Sequence, residues 1–86
     1  HMAKLITAAE RITRARALIQ KARDLPVPTD GGKYNLSYLA QVKDYLRQAR
    51  DLVKFIPLTA GASVEIKGEA KKVLAEADQA NQEILH

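Results

Sequence analysis

Cysteine and tryptophan are absent from this sequence, phenylalanine occurs once, and its two histidines, His1 and His86, are the terminal residues. Without cysteine there is no disulfide framework and no thiolate metal site, which fits a reducing, cytoplasmic location. Without an internal histidine, the core can hold no histidine general base, histidine metal ligand or histidine phosphotransfer site. No apolar run approaches the roughly 18–20 residues that span a bilayer, and no signal-peptide core is visible. The pair His1-Met2 reads as a cloning scar. An 86-residue chain of this size buries about 60–65% of its unfolded surface, so one domain over 3–86 with a thin stability margin is expected.

Several motifs fail on their details. Gly31-Gly32-Lys33 lacks the upstream glycine and preceding strand of a P-loop, and Tyr34 stands where a Ser or Thr would bind magnesium. No Asp-x-Asp-x-Asp-Gly calcium loop occurs. The carboxylates Glu65 and Glu69 are one helical turn apart and Asp44 and Asp51 two turns, but neither pair has a histidine or apolar pocket beside it to raise a pKa. The expectation is therefore no enzyme activity, no cofactor and no metal.

What the sequence does contain is helical periodicity. Leu5, Ala8, Ile12, Ala15, Ile19 and Ala22 recur at spacings of three and four. So do Leu39, Val42, Leu46, Ala49, Val53 and Ile56, and then Ile66, Ala70, Val73, Ala77, Ala80 and Ile84. Such 3.5-residue repeats keep one face of a helix toward a partner. They predict an all-α fold, a three-helix antiparallel bundle with left-handed heptad packing and alanine-rich seams. The helices are placed at about 4–25, 36–56 and 63–85. Pro26, Pro28 and Pro57 mark ends, and Asn35 and Ser63 are suitable N-caps. Tyr34 is placed to close over Leu39 as a hydrophobic staple. Val27, in the long first connection, is expected to pack over the open end of the bundle. Helix 2, with Tyr38, Tyr45 and Leu52 widening its apolar face, is expected at the centre. The small seam residues of helices 1 and 3 predict close approach between those two.

The net charge of +4 is unevenly spread. The first helical segment carries six cations against two carboxylates, and the third carries five carboxylates against three cations. Lys43, Arg47, Arg50 and Lys54 form one stripe on helix 2, and Arg16 and Arg23 a shorter one on helix 1, while Arg11, Arg14 and Lys21 lie on its other flank. Convergent stripes would meet nucleic-acid phosphates, although neither helix-turn-helix spacing nor a glycine-aromatic RNA motif accompanies them. The aromatic line Tyr34, Tyr38 and Tyr45 can cap the core or anchor a protein partner, with core capping the favoured role of Tyr38 and Tyr45. Leu36 and Phe55, off the seam, either pack under a loop or belong to an exposed apolar patch that marks an interface. Leu5-x-x-Ala8-Ala9-x-x-Ile12 resembles the opening of the vinculin-binding helices of talin-type rod bundles over barely half of one helix. Past Ile12 the register slips by one residue, and no function is carried over.

Two functional expectations follow. The first is a non-enzymatic helical bundle acting through protein–protein contact, with a second copy of the chain as one candidate partner. The alternative is a nucleic-acid-binding accessory domain using the two basic stripes.

Overall fold

A computed structural model describes residues 5–86. The expectations for Lys4 and for the pair His1-Met2 lie outside the described residues. Three helices are present, α1 (Ala8–Asp24), α2 (Leu36–Val53) and α3 (Val64–Leu85), with single 3-10 turns at Gly32–Tyr34 and Ile56–Leu58. No strand occurs among the described residues. Each helix packs against the other two, and the α1–α2 interface is the most extensive of the three. The close pair is thus α1 with α2, where the sequence pattern pointed to helices 1 and 3. The bulk of α2 does not hold α1 away, because Ala15 and Ala22 of α1 and Ala49 of α2 are fully buried.

Each helix starts at an oxygen that accepts from an orphan backbone N–H. The Thr7 hydroxyl accepts from the Glu10 amide at 3.1 Å, Asn35 Oδ1 from the Tyr38 amide at 3.1 Å, and Ser63 Oγ from the Ile66 amide at 3.1 Å. Such caps contribute about 1 kcal/mol each. The caps at Asn35 and Ser63 agree with expectation. Helix 1, in contrast, starts at Ala8 rather than near residue 4, because Thr7-Ala8-Ala9-Glu10 supplies the S/T-x-x-E pattern of a capping box. Leu5, expected on the seam, precedes that cap and is exposed. At the other end α2 stops at Val53 instead of continuing to Ile56. Pro57 lacks an N–H and crowds the residue before it. The chain tightens into the 3-10 turn, which still buries Ile56. No described helix is long and apolar enough to cross a membrane.

One hydrophobic core joins the three helices. Alanine supplies Ala15, Ala22, Ala49, Ala70, Ala77 and Ala80, and the largest fully buried side chains are Leu46, Val42, Val53 and Val73. Ile66 and Ile84, expected on the third seam, are partly buried at its ends. A core of this make-up buries little area per residue. The radius of gyration, 14.7 Å, exceeds the roughly 12 Å of a compact chain of this length, and the extents of 47 × 33 × 16 Å are those of an elongated, flat body.

The first connection departs from expectation. Leu25 packs against the core while Val27 stays exposed, so Val27 does not close the end of the bundle. Tyr34 is likewise 74% exposed, with the Lys33 ammonium 5.4 Å from its ring centre, and does not serve as a buried staple. Gly31 makes the turn at φ +83°, where an added Cβ would stand 3.3 Å from the Cα of Asn35. That position therefore requires glycine.

Candidate functional site

The charged side chains show how the three interhelical seams differ. Glu69, Glu76 and Glu83 recur every seventh residue on α3, and Arg16 and Arg23 do the same on α1. The rows meet. Arg16 Nη2 donates to Glu69 Oε2 at 2.9 Å and its Nε to Glu76 Oε1 at 3.2 Å. Arg23 Nη1 donates to Glu83 Oε1 at 3.3 Å. Flanking charges at heptad spacing are how packed helices fix partner and register. Each exposed pair contributes little, about 0–1 kcal/mol. The two carboxylates hold the Arg16 guanidinium more firmly protonated, Glu76 most strongly. The hydrogen bond from Arg16, seconded by Lys72, sets the Glu69 carboxyl below its ordinary value.

The helix 2 stripe is occupied in the same way. Arg47 bridges Asp44 at 2.7 Å and Asp51 at 3.0 Å, Lys54 reaches Asp51 at 3.1 Å, and Arg50 reaches Asp78 of α3 at 3.4 Å. These bonds lower the pKa of Asp44, chiefly through Arg47, and of Asp51, chiefly through Lys54. Of the residues expected to meet phosphates, Arg16, Arg23, Arg47, Arg50 and Lys54 thus carry carboxylates. Lys43 is exposed without an ion pair among the described residues. The two stripes also fail to converge, since α3 stands between them with its acids turned to both: Glu69, Glu76 and Glu83 toward α1, and Asp78 toward α2.

The aromatic line is divided. Tyr38 is only 6% exposed and belongs to the core, taking the position at the start of α2 that the heptad assigned to Leu39, which is partly buried. The ring replaces Leu39 because Tyr38 continues the i, i+4 row to Val42 and Leu46. It is not available to a partner. Tyr45 is partly buried against the core. Leu36, 82% exposed, and Tyr34 lie at the start of α2, far along the chain from Phe55, which is 65% exposed at its end. Tyr38 and Tyr45 thus take the core-capping role favoured for them, and the three candidates left exposed, Tyr34, Leu36 and Phe55, are split between the two ends of α2.

A surface not singled out by those residues is continuous. Along the α1–α2 seam, Arg14, Ala17, Leu18, Lys21, Gln48, Asp51 and Leu52 enclose a groove of about 480 Å³. A hollow of about 270 Å³, lined by Arg11, Asp51, Leu52, Phe55, Ile56 and Thr59, extends it toward the end of α2. Asp51 and Leu52 belong to both. The floor is apolar because Ala17 leaves room beside Leu18 and Leu52, both only partly buried. In the sequence, Tyr45 and Leu52 widen the apolar face of helix 2. The groove itself is not legible there, because it depends on Ala17 of one helix lying beside Leu52 of another.

Among the described residues, no group of three His, Cys, Asp or Glu side chains is placed to hold a metal ion. No buried side-chain polar atom lacks a hydrogen-bond partner among them. No family model, curated protein or solved structure matches this chain.

Proposed function

We propose that this chain is a non-enzymatic helical module that works by binding another protein chain, and that it binds through the α1–α2 face. The observation that carries the reading is the apolar-floored groove along that seam, which runs through Leu18 and Leu52 to the exposed ring of Phe55. Apolar surface left open between helices of an otherwise charged protein is typical of contact sites. The thin alanine core adds a thermodynamic reason, because burial of this face in a complex would supplement a small buried area. In the same reading the bundle is antiparallel with left-handed packing. The antiparallel order is supported by Arg16 and Arg23 meeting α3 carboxylates of rising number, while Arg11 shares a hollow with Phe55 and Lys21 a groove with Gln48. The left-handed packing is supported by the seven-residue spacing of the paired rows. The nucleic-acid reading has less behind it, since five of its six cations are held by carboxylates: Arg16, Arg23 and Arg50 by acids of α3, and Arg47 and Lys54 by acids of α2 itself.

Photo-crosslinking in the source cell tests this function. A photoreactive residue at Ala17 in the groove is compared with one at Gln79, exposed on α3, and captured chains are then purified and tested for direct binding. A chain captured from Ala17 alone, whose binding is lost on Ala17→Arg, supports the proposal. Equal capture from both positions, or capture without reconstituted binding, refutes it.

A further inference from the structure

The α1 wall of the groove carries a row of cations, Arg11, Arg14 and Lys21, on the flank opposite Arg16 and Arg23. Its electrostatic state differs from that of the Arg16–Arg23 row and of the helix 2 stripe, whose cations are held by carboxylates. Arg11 and Lys21 have no ion pair among the described residues, and Arg14 has a loose one, 3.6 Å from the Glu10 carboxylate one turn away. Asp51, the acid on the facing wall, is already shared by Arg47 and Lys54 at 3.0 and 3.1 Å. The groove thus has an apolar floor, one under-compensated basic rim, and a far wall of Gln48, Leu52 and Phe55. A pair of helices with an open seam takes a third helix readily, because the seam matches the i, i+3/i+4, i+7 ridge of an amphipathic helix.

We infer that the occupant of this groove is an amphipathic α-helix of another protein, with an apolar stripe against Ala17, Leu18 and Leu52 and a row of Asp or Glu along the flank that meets Arg11, Arg14 and Lys21. Charge complementarity selects it. A second copy of this chain does not supply that row: Glu69, Glu76, Glu83 and Asp78 of α3 are already bound to Arg16, Arg23 and Arg50. The inference rests on the proposal that the chain is a protein-binding module acting through this face, and names the chemistry of the partner.

The test is a selection from a display library of amphipathic helices whose flanking positions carry Glu, Gln or Lys, with the enriched helices resynthesised and measured by fluorescence anisotropy. The targets are the whole protein, Ala17→Arg, and the double variant Arg11→Glu with Lys21→Glu. Ala17 is exposed and arginine is a good helix former, so the first variant obstructs the groove without disturbing the core; a CD melt verifies that both variants are folded. The expected result is enrichment of Glu on one flank, binding abolished by Ala17→Arg, and affinity lowered about tenfold by the double charge reversal. Enriched helices with neutral or basic flanks, binding indifferent to Ala17→Arg, or no enrichment at all would overturn the inference. Sedimentation equilibrium separates its failure from that of the broader reading. If the chain self-associates and Ala17→Arg makes it monomeric, the groove is an interface between copies: the acidic-helix inference falls and the binding-module reading stands. If the selection is empty, the chain is monomeric and crosslinking from Ala17 captures nothing that binds, both fall.

Discussion

Replacing Leu46 by alanine probes the thinness of the core. Leu46 is fully buried, and alanines fill much of the space around the seam. Small, helix-bound neighbours cannot move into the space of a lost isobutyl group, so the cavity should persist. Leu→Ala changes at such sites cost about 3–5 kcal/mol, the upper part of the range belonging to sites that do not collapse. A chain of 86 residues has about 4–13 kcal/mol in all, at the usual 0.05–0.15 kcal/mol per residue. Leu46→Ala is therefore expected to remove about a quarter of the stability or more. Leu52→Ala, at the groove floor and only partly buried, should cost about 1 kcal/mol. Urea denaturation followed by CD at constant m-value measures both. If Leu46→Ala costs less than about 1.5 kcal/mol, or no more than Leu52→Ala, then the core does not lie where the packing places it and the groove is not a surface.

Other substitutions isolate single terms. Gly68 lies within α3, and a Cβ added there meets no atom within 4 Å. Gly68→Ala should stabilise by about 0.8–1 kcal/mol and raise Tm by about 4–8 °C in a thermal melt. Gly31→Ala, at φ +83° and against Asn35, should cost about 1–2 kcal/mol in the same assay. Acid acts on the α1–α3 seam. The Glu69 carboxyl is held below its ordinary value by Arg16, so its contribution is complete above the unfolded value near 4.3 and is lost as pH falls through the lower folded value. The Tm difference between the wild type and Glu69→Gln should be constant from pH 7 to about 5 and shrink below about pH 4. A difference that persists at pH 2–3 would mean that the carboxylate charge is not what matters there.

Much of the fold was legible because heptad spacing and caps are local. Ile12, Ala15, Ile19 and Ala22, then Val42, Leu46, Ala49, Val53 and Ile56, then Ala70, Val73, Ala77 and Ala80 are the buried residues the pattern named. Asn35 and Ser63 cap as their side chains suggest. Where the pattern failed, a competing local rule had priority: the Thr7-to-Glu10 box over the apolar Leu5, the geometry of Pro57 over the continuing seam, and the ring of Tyr38 over Leu39. The candidate site was less legible, because its properties belong to pairs of helices. Arg16 and Arg23 look like a phosphate-binding stripe until Glu69, Glu76 and Glu83 are placed opposite them. The matching seven-residue spacing of those two rows was the available signal. Nothing comparable marks the groove, whose floor joins Ala17 and Leu18 to Leu52 only after α1 and α2 have packed.

The central claim is that this module meets its partner through the α1–α2 groove. Titrating the selected helix, or the chain captured from Ala17, into isotopically labelled protein and following amide and methyl resonances tests that claim most directly. The account predicts shifts concentrated at Arg14–Lys21 and Gln48–Phe55, with the methyls of Leu18 and Leu52 moving and those of Leu46 and Val42 still. Shifts centred on the outer face of α3, or on Tyr34 and Leu36, would contradict it.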